Sequence, residues 1–307
     1  MRIVFMGTPD FAVASLKSLV EAGHEVCLVV TREDKPKGRG QQMAFSDVKE
    51  YALTKSLPIY QPKSLRNDEA RDTIAACKPD VIVVVAYGRI LPAEILSIPP
   101  YGCVNVHGSL LPRYRGAAPI QWAVLNGDAE SGVTTMLMDV GLDTGDMLLQ
   151  SRRAIPETMT AGELFDLLSL DGAALLIETL KALEAGTVNP TPQGEDLVSY
   201  ASMLDRSYSP ISWENDAQTL HNRVRGLNPW PSATCQFAGK TLKIHVSRVG
   251  APCNAPAGTV VSTKPLTIAC GGGTSLELLE VQYEGSRRMS AADFLCGHPI
   301  TVGELLK

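Results

Sequence analysis

The chain has 307 residues, of which 45% are hydrophobic and 20% charged, with a formal net charge of -5. That length allows two domains with a core in each, and no run approaches ~18 uninterrupted apolar residues, so a membrane span is not expected. Seven cysteines at 27, 77, 103, 235, 253, 270 and 296 form no Cys-x-x-Cys pair, and the five histidines are isolated, which argues against a disulfide scaffold and against any metal site.

Met1-Arg-Ile-Val-Phe-Met6 lacks the charged, apolar and cleavage regions of a secretory leader, and with the cysteine usage this predicts a cytoplasmic protein. Charge is uneven along the chain. Residues 208–307 carry 9 Lys+Arg against 7 Asp+Glu, leaving 19 against 26 for residues 1–207 out of totals of 28 and 33. Any RNA affinity must therefore come from local basic patches rather than from net charge.

In chain order, Arg2–Met6 reads as a strand, Gly7–Phe11 as a turn, and the amphipathic stretch to Ala22 as a helix. His24–Val30 is the next strand. Thr31–Gln42 is a polar insertion with four basic and two acidic residues, whose Gly and Pro content predicts irregular structure. Val81–Ala86 is a β-branched run of the kind buried on both faces of a parallel sheet, so right-handed βαβ units are expected. The first βα turn carries a single glycine rather than Gly-x-Gly-x-x-Gly, which excludes a nucleotide-dependent dehydrogenase.

Cys103–Val106 is a short strand leading into Asn105-Val-His107-Gly-Ser109-Leu-Leu-Pro112. Strand alternation puts Asn105 and His107 on one face, at a strand end, where open α/β sheets bind ligands. An amide that cannot lose its proton and an imidazole that can donate or accept suit a reaction in which a carbonyl oxygen gains charge and a proton moves. The carboxylate candidate is Asp143, in the tight loop Asp139-Val-Gly141-Leu-Asp143-Thr-Gly-Asp146 after the apolar run Val133–Met138.

A leucine-striped helix spans Thr160–Ala185 and closes the first domain, and Gly186 ends it. Thr187–Pro210 is irregular and polar, and reads as a surface-packed linker. A second helix is predicted over Trp213–Leu227, ended by Asn228-Pro-Trp-Pro231. Strands follow at 233–237, 241–249, 258–262, 266–269 and 275–282, a spacing that suggests a small β-barrel. The divisions are 1–189, a linker at 190–207, and 208–307.

The blocks Asn105-x-His107-Gly-Ser109-Leu-Leu-Pro112, Arg115-Gly-Ala-Ala-Pro119 and Asp139-x-Gly-Leu-Asp143-Thr-Gly-Asp146 resemble the signature of folate-dependent formyltransferases. Met6-Gly-Thr-Pro-Asp-Phe-Ala12, Gly38-Arg39-Gly40 and Asn228-Pro-Trp-Pro231 are similar to the branch that formylates methionyl-tRNA. The resemblance implies an α/β, Rossmann-like, mostly parallel sheet followed by a small OB-like barrel that guides tRNA. It implies 10-formyltetrahydrofolate as co-substrate, no metal, initiator methionyl-tRNA as partner, and catalysis by Asn105, His107 and Asp143. Folate contacts would fall on Tyr87, Ile90, Leu91, Ser109, Leu110, Leu111, Pro112, Asp139 and Gly141. Arg39, supported by Lys35 and Lys37, would meet the acceptor end of the tRNA. A monomer without membrane association is expected.

Two rival readings remain. A UDP-amino-sugar N-formyltransferase would share the Asn-x-His block and the carboxylate, but Gly7–Phe11 and the basic Lys35–Gln42 loop favour tRNA. A non-catalytic tRNA-binding protein would have no need to keep Asn105, His107 and Asp143 together.

Overall fold

A computed structural model describes residues 1–37 and 42–307. In chain order its elements begin with β1 (Arg2–Gly7), α1 (Phe11–Glu21), β2 (Glu25–Val30), β3 (Lys35–Lys37), β4 (Gln42–Ala44), α2 (Asp47–Thr54), β5 (Ile59–Tyr60) and α3 (Asp68–Ala76). They continue through β6 (Val81–Val85), α4 (Ala93–Leu96), β7 (Cys103–His107), β8 (Arg115–Gly116), α5 (Pro119–Leu125), β9 (Glu130–Leu137), β10 (Met147–Ala154), α6 (Ala161–Glu184) and β11 (Tyr200–Ala201).

Seven strands form one sheet in the order β10-β9-β7-β6-β1-β2-β5. β1, β2, β5, β6 and β7 pair in parallel, and β9 joins β7 antiparallel. All five residues of β6 are buried, as are all five of β7. A continuous Val/Ile strand therefore meets the condition of a sheet covered on both faces. Val4, Met6, Val30, Ile82, Val84 and Ile95 anchor one cluster of that core. Local chemistry sets the helix starts: Ser46 and Asn67 accept from the backbone N–H three residues on, capping α2 and α3. Thr160 and Glu163 exchange reciprocal bonds of 3.2 and 2.8 Å at the start of α6.

The insertion after β2 is more regular than its composition suggests. β3 and β4 pair antiparallel, Lys35 opposite Ala44 and Lys37 opposite Gln42. Strands of three residues are too short for period-2 patterning to be read in the sequence, and Pro36 itself lies in β3 opposite Met43.

The chain divides into two compact units, the first comprising 1–119, 131–153 and 165–201, the second 120–130, 154–164 and 202–307. In the second unit α7 (Ala217–Gly226) starts four residues later than the sequence pattern suggests. The Asp216 side chain accepts from Thr219 N at 2.9 Å and so fixes the first turn, while Trp213 is buried ahead of the helix. β12 (Ala233–Phe237), β13 (Lys240–Val249), β14 (Val260–Thr263), β15 (Leu266–Cys270), β16 (Thr274–Tyr283) and β17 (Met289–Ser290) form an antiparallel sheet, followed by α8 (Ala291–Gly297). β12 and β14 lie at opposite ends of the strand order. Residues 303–307 bond to both: Lys307 N donates to Gln236 O at 3.1 Å, and Leu306 N to Gly258 O at 2.9 Å. This segment bridges the two edges and gives ladder groups on both of them backbone partners.

Among the described residues no helix is long and apolar enough to cross a membrane, and no group of three or more His, Cys, Asp or Glu could hold a metal. All seven cysteines are free.

His221 is buried in the second unit. Its Nε2 donates to Glu157 O at 2.9 Å, so in the neutral ring Nδ1 accepts from the Ser247 hydroxyl at 3.0 Å. Burial holds its pKa below the usual 6.5; the Glu157 carbonyl bond opposes that shift and the Arg225 charge adds to it. The folded state thus binds fewer protons than the unfolded chain as pH falls below ~6.5, and stability present above that pH is lost below it. Thermal melts between pH 7.5 and 5 are expected to show a falling midpoint, and His221→Gln should flatten that fall while lowering the midpoint at pH 7.5.

Candidate active site

β7 carries Asn105 and His107 to its carboxyl end on one face, two residues apart. Both are buried, 8% and 6% exposed. His107 Nε2 lies 2.9 Å from the Tyr114 carbonyl, which can only accept, so Nε2 carries the proton and Nδ1 is the nitrogen left to take another. Nδ1 faces Asp143 Oδ2 at 3.8 Å. The Asn105 amide has no hydrogen-bond partner among the described residues. A nearly buried amide with its donors uncommitted is poised for a ligand, because an unmade bond there otherwise lowers stability.

The loop after β7 is pinned from below by β9. Thr134 Oγ1 donates to Ser109 O at 2.7 Å and accepts from Leu111 N at 3.1 Å, while Gln150 Nε2 donates to Leu111 O at 2.9 Å. Gly132 lets Leu110 reach the sheet: a Cβ there would lie 2.6 Å from Leu110 Cδ2 and 2.0 Å from Ser151 O. Ser109 is fully buried, its hydroxyl donating to Arg113 O at 2.6 Å. Its hydroxyl therefore shapes the loop. What this loop offers a ligand is the Leu110 and Pro112 side chains, both half-buried, and its backbone.

Asp143 occupies the left-handed region at φ 53°, which a short polar side chain tolerates better than most. Its carboxylate accepts from Gly116 N at 2.8 Å. Gly116 is required there: at φ +115° a side chain is strained, and a Cβ would meet Ala201 O at 2.7 Å. The Asp143 carbonyl accepts from Gln193 Nε2 at 2.8 Å, as does the Gly145 carbonyl at 2.8 Å. Gln193 Oε1 in turn accepts from Arg115 Nε and Nη2 at 3.0 and 2.8 Å. Residues 191–201 bind along the site throughout: Thr191 exchanges bonds with Met147, the Ser199 hydroxyl accepts from Tyr114 N at 2.9 Å, and β11 pairs with β8.

Of the residues expected to contact folate, Tyr87 is 1% exposed and belongs to the core cluster, and Leu91 is buried beside it in sequence and cluster. Their burial leaves Ile90, 63% exposed, as the open side chain of that turn. Asp139 Oδ1 accepts from Gly141 N at 2.9 Å and from Thr144 Oγ1 at 2.6 Å, so both residues form the turn that presents Val140 and Leu142, large apolar side chains left exposed. Lys35 is exposed on β3 and the Lys37 backbone pairs in the same strand, while Arg39 lies outside the described residues. Sequence reasoning missed Thr134, Gln150, Arg115 and Gln193. Arg115 lies in the Arg115–Pro119 motif and Thr134 in the apolar run Val133–Met138, but the contacts of all four depend on residues distant in the chain.

Residues 1–180 match the family described as Formyl transferase, and residues 204–299 match Formyl transferase, C-terminal domain. The methionyl-tRNA formyltransferase of Acetivibrio thermocellus is 49% identical over 310 residues, covering 100% of this chain and 99% of its own. That of Caldanaerobacter subterraneus subsp. tengcongensis is 49% identical over 309 residues, covering 100% of both. An N-formyltransferase from Helicobacter canadensis, solved with folinic acid and dTDP-3-aminofucose, has a TM-score of 0.68 at 19% identity, over 92% of this chain and 98% of that one. At that identity the likeness is one of fold. With both family matches in order along the chain and relatives of near-half identity over its whole length, the chain belongs to the formyl transferase family, in its methionyl-tRNA formyltransferase group.

Proposed function

We propose that this protein transfers the formyl group of 10-formyltetrahydrofolate to the α-amino group of methionyl initiator tRNA, giving formylmethionyl-tRNA for translation initiation. The observation that carries the chemistry is the meeting of His107 and Asp143, 3.8 Å apart, at the strand end that also bears the unpartnered Asn105 amide. The choice of acceptor rests on full-length relatives that share nearly half their residues with this chain.

A reduced folate needs apolar walls for its rings and backbone polar groups for its edges. Ile90, Leu110, Val140 and Leu142 would supply the walls, and the backbones of Ser109–Pro112 and Asp139–Gly141 the edges. Three of those side chains, Ile90, Val140 and Leu142, stand 63%, 73% and 52% exposed. The co-substrate supplies a formyl group activated on nitrogen. Asn105 would donate to the formyl oxygen as it gains negative charge under attack by the amine. His107, with Nε2 committed to Tyr114, would accept at Nδ1 the proton that the attacking amine loses and return it to the folate nitrogen as the bond from that nitrogen to the formyl carbon breaks. Asp143 would balance the charge of the protonated ring and help draw a proton from the incoming ammonium. The basic insertion, with Lys35 and Lys37 ahead of Arg39, would meet RNA phosphates near the acceptor end, and the second unit would carry further phosphate contacts.

The test is a transfer assay with 10-formyltetrahydrofolate, offering methionyl initiator tRNA and a UDP-amino sugar in parallel, with His107→Ala as control. Transfer to tRNA alone, abolished in the control, is expected. Transfer to the sugar would keep the site chemistry and overturn the acceptor, and no transfer to either would favour a tRNA-binding role without catalysis. Asn105→Ala should lower single-turnover transfer by ~10²–10³, the usual effect of losing one oxyanion donor, with little change in melting temperature. Arg39→Ala should raise the KM for tRNA at least ~10-fold and leave the KM for folate within ~2-fold, a split that steady-state kinetics reads directly and that follows from losing a phosphate contact.

A further inference from the structure

We propose that Gln193 is a positioning residue for the transfer reaction, holding Asp143 in its strained backbone conformation and thereby setting where its carboxylate meets His107. The inference rests on the formyl-transfer reading above and extends it to a segment, 191–201, outside every recognised motif block.

Each half of the Gln193 amide faces groups of one kind. Oε1 meets only donors, Arg115 Nε and Nη2 at 3.0 and 2.8 Å. Nε2 meets two carbonyl oxygens, those of Asp143 and Gly145, each at 2.8 Å. The orientation of the amide is therefore forced, since a flip would oppose donors to donors and acceptors to acceptors. Arg115 is buried, 5% exposed, and its guanidinium draws electron density from Oε1, which makes the Nε2 hydrogens stronger donors.

The two carbonyls bracket the turn that Asp143 enters at φ 53°. That conformation is disfavoured for a residue with a side chain. It persists where the surroundings over-determine it. Gln193 fixes the Asp143 carbonyl and the Gly116 N–H fixes its carboxylate at 2.8 Å, so the residue is gripped at both ends. With these in place Oδ2 lies 3.8 Å from His107 Nδ1. Without Nε2 the turn can relax, and a shift of about 1 Å at such a site typically lowers the rate by up to ~10²-fold.

Gln193→Glu keeps the size of the side chain and its acceptor toward Arg115, but removes the donors and turns an oxygen on the two carbonyls. Gln193→Ala removes both halves. Both variants are expected to lower single-turnover formyl transfer to methionyl-tRNA by ~10–100-fold, with KM for folate and for tRNA within ~3-fold of wild type, as for loss of an interaction that acts on the transition state alone. In an Asp143→Asn background, Gln193→Ala should add less than a ~3-fold loss, because residues acting as one unit are non-additive. Wild-type transfer by Gln193→Glu, a defect confined to KM, or a full multiplicative loss in the double variant would overturn the proposal. A crystal structure of Gln193→Glu decides the point independently of any assay: Asp143 displaced from His107 is expected, and an unchanged 3.8 Å separation would sink the idea. Should the wild-type protein fail to formylate methionyl-tRNA, that result overturns the acceptor reading, while the crystal structure still judges Gln193.

Discussion

The hydrogen bond from His107 Nε2 to the Tyr114 carbonyl, 2.9 Å long, is the constraint on which the site depends. An imidazole only 6% exposed must satisfy at least one nitrogen within the protein. By binding Nε2 to a carbonyl, the fold fixes the tautomer and turns Nδ1 toward Asp143. Tyr114 is itself held in a left-handed conformation, φ 60°, and its N–H donates to Ser199 at 2.9 Å. The ring orientation is thus linked through one backbone unit to the segment that carries Ser199.

The sheet explains why the site is on β7. β6 and β7 are buried along their whole length, so their side chains cannot be polar without partners until the strand reaches its end. Asn105 and His107 occupy the last turns of the pleat, one satisfied and one not. The loop beyond is immobilised by Thr134, whose single hydroxyl joins Ser109 and Leu111. That hydroxyl sits on β9, which the register sets with Thr134 opposite His107. Strand pairing, and not loop chemistry, therefore determines where the ligand-facing backbone lies.

Much of this was legible in the sequence, and the reasons for success and failure are physical. The Val81–Val85 run and the strand at Cys103 announce a parallel sheet because burial on both faces demands uninterrupted apolar residues. Asn105 and His107 stand out because polar residues at alternate positions on such a strand require an explanation. Asp143 stands in a loop between Gly141 and Gly145, a tight turn that limits which side chain can be presented, and the structure places its carboxylate 3.8 Å from His107. Tyr87 is different: an aromatic residue in a strand-to-turn position reads equally as pocket wall or as core, and its place in the packed cluster, at 1% exposure, follows from packing that no local pattern shows. The hairpin of Lys35–Lys37 with Gln42–Ala44 escaped notice because three-residue strands have no measurable period. Gln193 was invisible for a deeper reason. Its importance comes from partners 50 and 78 residues earlier in the chain, and one glutamine in a polar stretch carries no local pattern.

That invisibility bears on the character of residues 191–201. A connector chosen only for reach would be Gly- and Ser-rich and free of cross-links. Residues 191–201 instead exchange backbone bonds with Met147, accept from Tyr114 through Ser199, pair with Arg115 and Gly116 through β11, and grip Asp143 and Gly145 through Gln193. This one stretch of the first unit thus ties down both members of the His107–Asp143 pair. A displacement of this segment would reach both at once, His107 through Tyr114 and Asp143 through its carbonyl. The same stretch that reads as a polar linker in sequence is, in the fold, an outer brace for the His107–Asp143 pair.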